Sequence, residues 1–455
     1  MKPTSTRLLP SAALLLSTSL AHADPSLVLV GAYDTGLGPL GAEIIDIRMP
    51  QGFATVTNTG GSSPGNSSID VIKVSDVAAP TLVRRVLLQD TSRIVNSVAM
   101  HPSEDYFLVV QGGSSPAATG TPGSISAYRI TNGAFLCSAE VGIQPDSVAI
   151  SPDGATAIVA NEAEGAEEGD NGGAGSVSRL SLTGFKPQTP DCSLFSATTI
   201  ALPSATGTPG FSTGRTDDLA RLSIDNSPGT LEPESVAFSP DSRYAFVTLQ
   251  ENNGVARVDL ATNAVKYFGL GTVNHLADVA VSTPPNYDPV TPYTQFREPD
   301  GIKVTPDGRY FVTANEGDTA NGAGGSGIRG GRTISVFDAA TGALVGDTGR
   351  ELDDLANDNG VYPDGRSNRG GSEPEVLDLV AFGGRTWVAV SLERAGGIAL
   401  VDVTTPTAPI VVAFGYTGST RANPEGVRFF ARGNALFVAS ANEGNGTVSI
   451  FRVIP

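Results

Sequence analysis

One short unit recurs along the chain, and the stretch from Arg297 to Gly342 contains a complete copy of it. Glu298-Pro299-Asp300-Gly301 opens the unit, and Ile302-Lys303-Val304 follows with the apolar/polar alternation of a half-buried strand. Thr305-Pro306-Asp307-Gly308 then reverses the chain, because Pro presets the turn torsion and Gly accepts a positive φ. Tyr310 to Ala314 returns as a second strand and runs into Asn315-Glu316-Gly317-Asp318. Thr333 to Phe337 gives a third strand, Ala340-Thr341-Gly342 a tight turn, and Ala343 to Val345 a fourth. Four antiparallel strands joined as a meander form one propeller blade.

The Pro-acid opening and the Pro-Asp turn recur along the sequence. The first and least regular unit begins at Gly41-Ala42-Glu43-Ile44, and the second at Asn96-Ser97-Val98, turning at His101-Pro102-Ser103. The third begins at Pro145-Asp146 and turns at Ser151-Pro152-Asp153-Gly154, and the fourth begins at Pro233-Glu234 and turns at Ser239-Pro240-Asp241. The sixth and seventh begin at Pro374-Glu375 and Pro424-Glu425. The last unit ends one strand short, after Val448 to Phe451, while Leu27 to Val30 is a spare strand ahead of the first. The predicted fold is therefore all-β: a seven-bladed β-propeller of four-stranded antiparallel blades, with the N-terminal strand completing the last blade and closing the ring.

Lys2 and Arg7 precede an apolar run from Ala12 to Leu16, and Ala21-His22-Ala23 has the small-x-small cleavage pattern. Residues 1–23 are expected to be a signal peptide and residues 24–455 a single propeller domain, exported to the periplasm or the extracellular space. No later run is apolar long enough to cross a bilayer. The formal charge of −18 becomes −20 without the first 23 residues, which hold two basic and no acidic side chains. Such a surface repels nucleic acid and favours cations or basic partners. The chain is expected to be a monomer. Cys137 and Cys192 fall in the outermost-strand regions of consecutive blades; export permits a bridge between them, and two buried thiols are the other reading.

Turns between first and second strands, and between third and fourth, are short and share one face of a meander ring. The links on the other face are long: Glu162 to Gly175, Ser204 to Thr230, Gly271 to Phe296, Glu316 to Gly331 and Asp347 to Ser372. Loops gathered on one face of a rigid ring put recognition or chemistry there. On that face Glu43, Asp146, Glu234, Asp300, Glu375 and Glu425 each precede an innermost strand, with Asn96 in the equivalent place in the second blade. Glu162, Glu251, Glu316, Glu393 and Glu443 each follow a second strand. Carboxylates packed so closely cannot all stay ionised without cations or arginines among them. Arg297, Arg332 and Arg394 are the arginines nearest in sequence. An all-oxygen set favours Ca²⁺ or Mg²⁺, with Asp146, Glu234, Asp300, Glu316, Glu375, Glu393 and Glu425 as the candidate ligands. The competing reading is structural, each carboxylate accepting backbone N–H groups and tying adjacent blades together.

Nucleophilic catalysis finds little support: His22 lies in the signal segment, His101 in a turn on the opposite face, and only His275 could approach the mouth. The glycine-rich run from Gly322 to Gly331 lacks the lysine of a phosphate-binding loop.

Leu231-Glu232-Pro233-Glu234, the run from Val247 to Asn253, Ala314-Asn315-Glu316-Gly317-Asp318, and Leu392-Glu393-Arg394 ahead of Gly396-Gly397 together resemble the choice-of-anchor I family. The resemblance spans the chain after the signal segment and implies an exported seven-bladed propeller, of a group likened to a cell-surface glycoprotein and often labelled alkaline phosphatase by similarity. The last strand ends just before Pro455, so a free exported form is expected rather than an anchored one. Arg366-Ser367-Asn368-Arg369-Gly370 departs from the family, where acidic residues are usual. The Ser-Pro-Asp-Gly turns also resemble, more distantly, those of propeller lactonases and calcium-dependent propeller phytases. Two functions fit: a binding or scaffold module of the cell envelope with a cation-shaped mouth, or a metal-dependent phosphoesterase in which Arg297, Arg332 or Arg394 grips phosphate beside acid-held metal. The ligand is correspondingly a small molecule, a phosphate ester or a cell-surface group.

Overall fold

The computed structural model describes residues 25–49, 51–60, 64–113, 120–163, 175–202, 231–317 and 328–455. The expected signal segment and most of three long links, including the run from Gly322, lie outside the described residues. Seven four-stranded antiparallel sheets follow one another along the chain. Their innermost strands are Ile45–Arg48, Arg93–Met100, Pro145–Ile150, Pro233–Phe238, Pro299–Val304, Pro374–Phe382 and Pro424–Arg432.

Because each blade is packed between two others, its middle strands are buried on both faces. Thr156–Asn161 is buried at every residue, and Tyr310–Asn315 at every residue but the first. The core accordingly lies between blades. Phe246, Phe268, Phe311 and Phe337 fill the space between blades four and five, with Phe311 and Phe337 stacked at 5.1 Å. Between blades six and seven the fully buried Trp387 packs with Leu400, Val427, Val438 and Phe451. The Ser/Thr-Pro-Asp turns are held alike: Ser151, Ser239 and Thr305 each donate a hydroxyl at 2.6 Å to the aspartate two residues on. Asparagines closing several second strands clasp the third strand. Asn58 donates to Ser68 at 2.7 Å, Asn315 to Thr333 and Ser335 at 2.8 Å, and Asn442 to Ser449 at 2.9 Å.

The ring closes as expected. Ser26–Asp34 pairs antiparallel with Thr447–Ile454 as the outermost strand of blade seven, with Leu29 opposite Phe451 and Gly31 opposite Ile450. Cys137 and Cys192 are bridged, with Cα atoms 5.5 Å apart. The bridge ties the outermost strand of blade two to a short turn, Cys192–Leu194, ahead of the outermost strand of blade three.

Two of the long links carry structure of their own, which the all-β meander reading did not foresee. One holds a two-stranded hairpin, Thr272–Ala277 with Thr291–Phe296. The other holds the helix Glu351–Asp358. That helix forms because Leu352 and Ala356, four apart, bury one face, and because Glu351, Asp353 and Asp354 complement its positive N-terminal end.

Gly31 sits where the closing strand shifts register, and a Cβ there would fall 2.0 Å from the carbonyl oxygen of Val77. Gly31→Ala should therefore lower stability to denaturant by about 1–3 kcal/mol through overpacking. Gly365→Ala, with nothing within 4 Å of its added methyl, is the neutral control. Equal stability of the two variants would refute a tight closure at this point.

Candidate functional site

The innermost strands that open with proline all begin irregularly. Pairing with the second strand shifts register after Pro145, Pro233, Pro299, Pro374 and Pro424. Proline has no N–H to give the ladder, and a bulge takes up the missing bond. The preceding residue holds a positive φ at Gln144, Glu298, Glu373 and Asn423, which is uncommon outside glycine. Backbone N–H groups at these starts go to second-strand hydroxyls. Ser235 donates to Thr248 Oγ1 at 2.8 Å, Val376 to Ser391 Oγ at 3.1 Å and, in blade one, Ile44 to Thr57 Oγ1 at 2.8 Å. Neighbouring blades meet here backbone to backbone. Gly426 N–H donates to the carbonyl of Glu43 at 2.9 Å, and a side chain at Gly426 would come 2.7 Å from the nitrogen of Ile45.

This construction brings the acid after each proline to one axial cavity of about 270 Å³. Glu43, Asp146, Glu234, Asp300, Glu375 and Glu425 line it, together with Asn96, Gln250 and Glu316. Most keep partial access to the axis, yet protein walls strip their hydration. Burial is the first cause of every shift among them. It pushes Asp146 up to about 6 and, aided by Asp146 and Glu393, Asp300 up to about 7. Glu43, Glu234, Glu375 and Glu425 also rise well above the usual carboxylate range. After burial the main causes are Glu443 for Glu43, Glu162 for Glu234, Glu393 for Glu375 and Glu43 for Glu425. The carboxyl groups of Glu375 and Glu393, of Glu425 and Glu443, and of Glu232 and Glu251 are in hydrogen-bonding contact. Such contacts hold only with a proton or a cation between the oxygens.

Two sets of three carboxylates bring one oxygen each within 4.8 Å of one another: Glu316, Glu373 and Glu375, and Glu393, Glu425 and Glu443. Glu373 precedes its proline, and the same acid-Pro-acid pattern occurs at Glu232 and Glu298. The sequence reading weighed only the second acid of each triplet, although the doublets were visible. It also missed the floor of the cavity. Three residues past four of the ring acids stand Asp46, Lys303, Asp378 and Arg428. Arg428 lies 3.0 Å from Asp46 and 3.3 Å from Asp378, and Lys303 lies 3.6 Å from Asp378. Lys303 and Arg428 line both the acidic cavity and a second one, of about 350 Å³, toward the opposite face. Burial, with Arg428 beside it, lowers Lys303 to about 8.

The three arginines stand in different places. Arg297 is buried and spends its donors on the carbonyls of Leu270 and Thr272, on Ser335 Oγ and on Asp347. Arg332 is fully buried, donates to the carbonyls of Asp278 and Ser367, and lies 5.0 Å from the Tyr293 ring. Both hold the hairpin and the helix-bearing link to blade five, and neither reaches the cavity. Only Arg394 stands among the ring acids, bonded to Glu373 at 2.6 Å and to Glu393 at 2.5 Å. Arg366, from the segment that departs from the family pattern, also binds Glu373. His275 lies on the hairpin beside Tyr293 and is not among the residues lining the cavity. His101 Nε2 is 3.0 Å from the carbonyl of Gly154, in the turns of the opposite face.

The choice-of-anchor I domain matches residues 43–326 and 327–406. Among solved structures the chain is similar to the β-propeller domain of Cps50 (Swd1) from Myceliophteria thermophila, with a TM-score of 0.54 and 8% identity over 94% of this chain and 100% of that one. It is similar also to Kuenenia stuttgartiensis hydrazine synthase, with a TM-score of 0.55 and 14% identity over 91% and 96% of the two chains. Likeness at such identities concerns the fold alone. No curated protein matches the sequence. The domain match extends over far more than half of the chain and coincides with most of the blade ring, and the protein belongs to the choice-of-anchor I family.

Proposed function

We propose that this chain is an exported binding or scaffold module of the cell envelope, whose acidic mouth is shaped by a divalent cation, Ca²⁺ or Mg²⁺. The observation that carries the reading is the meeting of Glu43, Asp146, Glu234, Asp300, Glu375 and Glu425 in one cavity with carboxyl–carboxyl contacts around it. Two carboxylates about 5 Å apart repel by about 3 kcal/mol at an effective dielectric of about 20, so a cation among them gains more than any neutral group could. A metal held there would present open positions to oxygen-bearing groups of a small molecule or a cell-surface ligand. Export is supported by the N-terminal sequence pattern and by the Cys137–Cys192 bridge, which persists in oxidising compartments. Among the described residues no helix is long and apolar enough to cross a membrane.

The phosphoesterase alternative is the weaker reading. Arg297 and Arg332 are committed elsewhere, Arg394 is bonded to two glutamates, and Lys303 and Arg428 face aspartates. Among the described residues that leaves no uncommitted cation at the mouth to grip phosphate oxygens.

A cation selective for the folded state stabilises it by about 2.7 kcal/mol at a hundredfold excess over Kd, roughly 3 °C of thermal midpoint for a domain of this size. Ca²⁺ added to chelator-treated protein should produce such a rise, and Asp300→Asn with Glu316→Gln should diminish it. A midpoint indifferent to chelator and to both metals would overturn the cation reading.

The ring also fixes the sign of the pH dependence. Asp146 and Asp300 titrate near 6 and 7 when folded, against about 4 unfolded, so between those values the folded state binds more protons. Their contribution to stability is complete below about 4 and is lost as pH rises through 6 and 7. In chelator, the denaturation midpoint should therefore fall from pH 5 to pH 7.5, with a shallower slope in Asp300→Asn. A midpoint rising over that interval would contradict the raised acids.

A further inference from the structure

We infer that the mouth holds one Ca²⁺ off the ring axis, between blades six and seven, on Glu393, Glu425 and Glu443. This rests on the reading of the mouth as a cation site and says where in it the ion sits. Among the described residues two sets offer three carboxylate oxygens within 4.8 Å, and their surroundings differ.

In the first set Glu373 has no oxygen to spare. Its Oε1 accepts the Arg366 guanidinium and its Oε2 accepts Arg394 Nε at 2.6 Å. Those two arginines bear on Glu373, Arg394 being shared with Glu393, and Gln250 donates to Glu316 at 2.7 Å. Among the described residues this set has more protein donors than the second.

In the second set Glu393 is 3% exposed, and its Oε1 is fixed by Arg394 at 2.5 Å and by Asn423 at 2.9 Å. Its Oε2 is buried and receives no N–H or hydroxyl donor, and the carboxyl of Glu375 bonds to Glu393 only with a proton or a cation between them. A buried carboxylate oxygen left without a donor keeps its full desolvation cost, so such an atom calls for a partner. Glu425 and Glu443 each bring an oxygen close to one of Glu393, and Glu43, whose Oε2 also lacks an N–H or hydroxyl donor, adds to the negative field on Glu425. Among the described residues Arg394, at the edge, is the one cation bonded to this set. Several anionic oxygens from separate side chains suit Ca²⁺, which takes about six to eight oxygen ligands in a flexible geometry. Mg²⁺ demands a near-ideal octahedron and keeps more of its waters. The site is therefore expected to prefer Ca²⁺.

The test is calorimetric titration of the full chain, freed of metal, with CaCl2 and separately with MgCl2. Glu425→Gln and Glu443→Gln should each weaken Ca²⁺ binding at least about 30-fold, as loss of an anionic ligand does. Glu316→Gln, which alters only the surrounding field, should weaken it less than about fivefold. Because a variant could fail to fold, crystals of the unaltered protein soaked in SrCl2 or TbCl3 give a second readout, an anomalous peak among Glu393, Glu425 and Glu443. If Ca²⁺ binds, but Glu316→Gln is as damaging as Glu443→Gln or the peak lies at Glu373, the off-axis site is wrong while the cation mouth stands. If no metal binds the unaltered protein, both are wrong.

Discussion

The rest of the molecule answers to one electrostatic constraint, the mutual repulsion of carboxylates that a closed ring forces onto a common axis. Every blade contributes its innermost strand to the same narrow space, so a residue type repeated at the head of the unit meets its own copies. Where that residue is Glu or Asp, repetition turns one charge into a cluster of like charges. Several compensations are built in: Arg366 and Arg394 on Glu373, an amide on Glu316, and a floor alternating Asp46, Lys303, Asp378 and Arg428. They are distributed unevenly, the arginines gathering on Glu373 and Glu393 at blade six.

The backbone that presents these acids is made with comparable care. Proline starts the strand, a bulge follows, hydroxyls such as Thr248 and Ser391 take N–H groups there, and glycine at 426 lets blade seven touch blade one. Residues before proline at positive φ mark a start that is strained wherever it occurs, and strain retained in several blades is more simply explained by what it positions than by folding alone. Farther out, the asparagine clasps and the aromatic layers between blades make the ring rigid, so the acids cannot relax by moving apart.

Much of this was legible in the sequence because a repeat writes its geometry several times. The blade count, the spare strand from Leu27, the long-loop face and the six acids before innermost strands all follow from aligning the units with one another. What failed depended on distance through space rather than position in the repeat. Arg297 and Arg332 flank the fifth blade in sequence, yet their long side chains bind the hairpin and the helix-bearing link, elements unique to this part of the chain. Glu373 and the charged floor were legible in principle: acid-Pro-acid triplets and a charge three residues past the ring acid both recur. They were overlooked because strict alternation would turn the third residue away from the axis, and only the bulge, which is not written in the pattern, turns it back.

The central claim is that the ring acids keep protons in the absence of metal because they cannot all be ionised together, and that a cation takes the place of those protons. Proton release on Ca²⁺ binding, measured near pH 6.5 by titration in buffers of different ionisation enthalpy, tests it most directly. The account predicts release of roughly one proton or more per Ca²⁺ bound, falling toward zero at pH 8.5 as the acids ionise. Binding that releases no proton at pH 6.5 would contradict it, since the carboxylates would then already be ionised and their repulsion offset by something else.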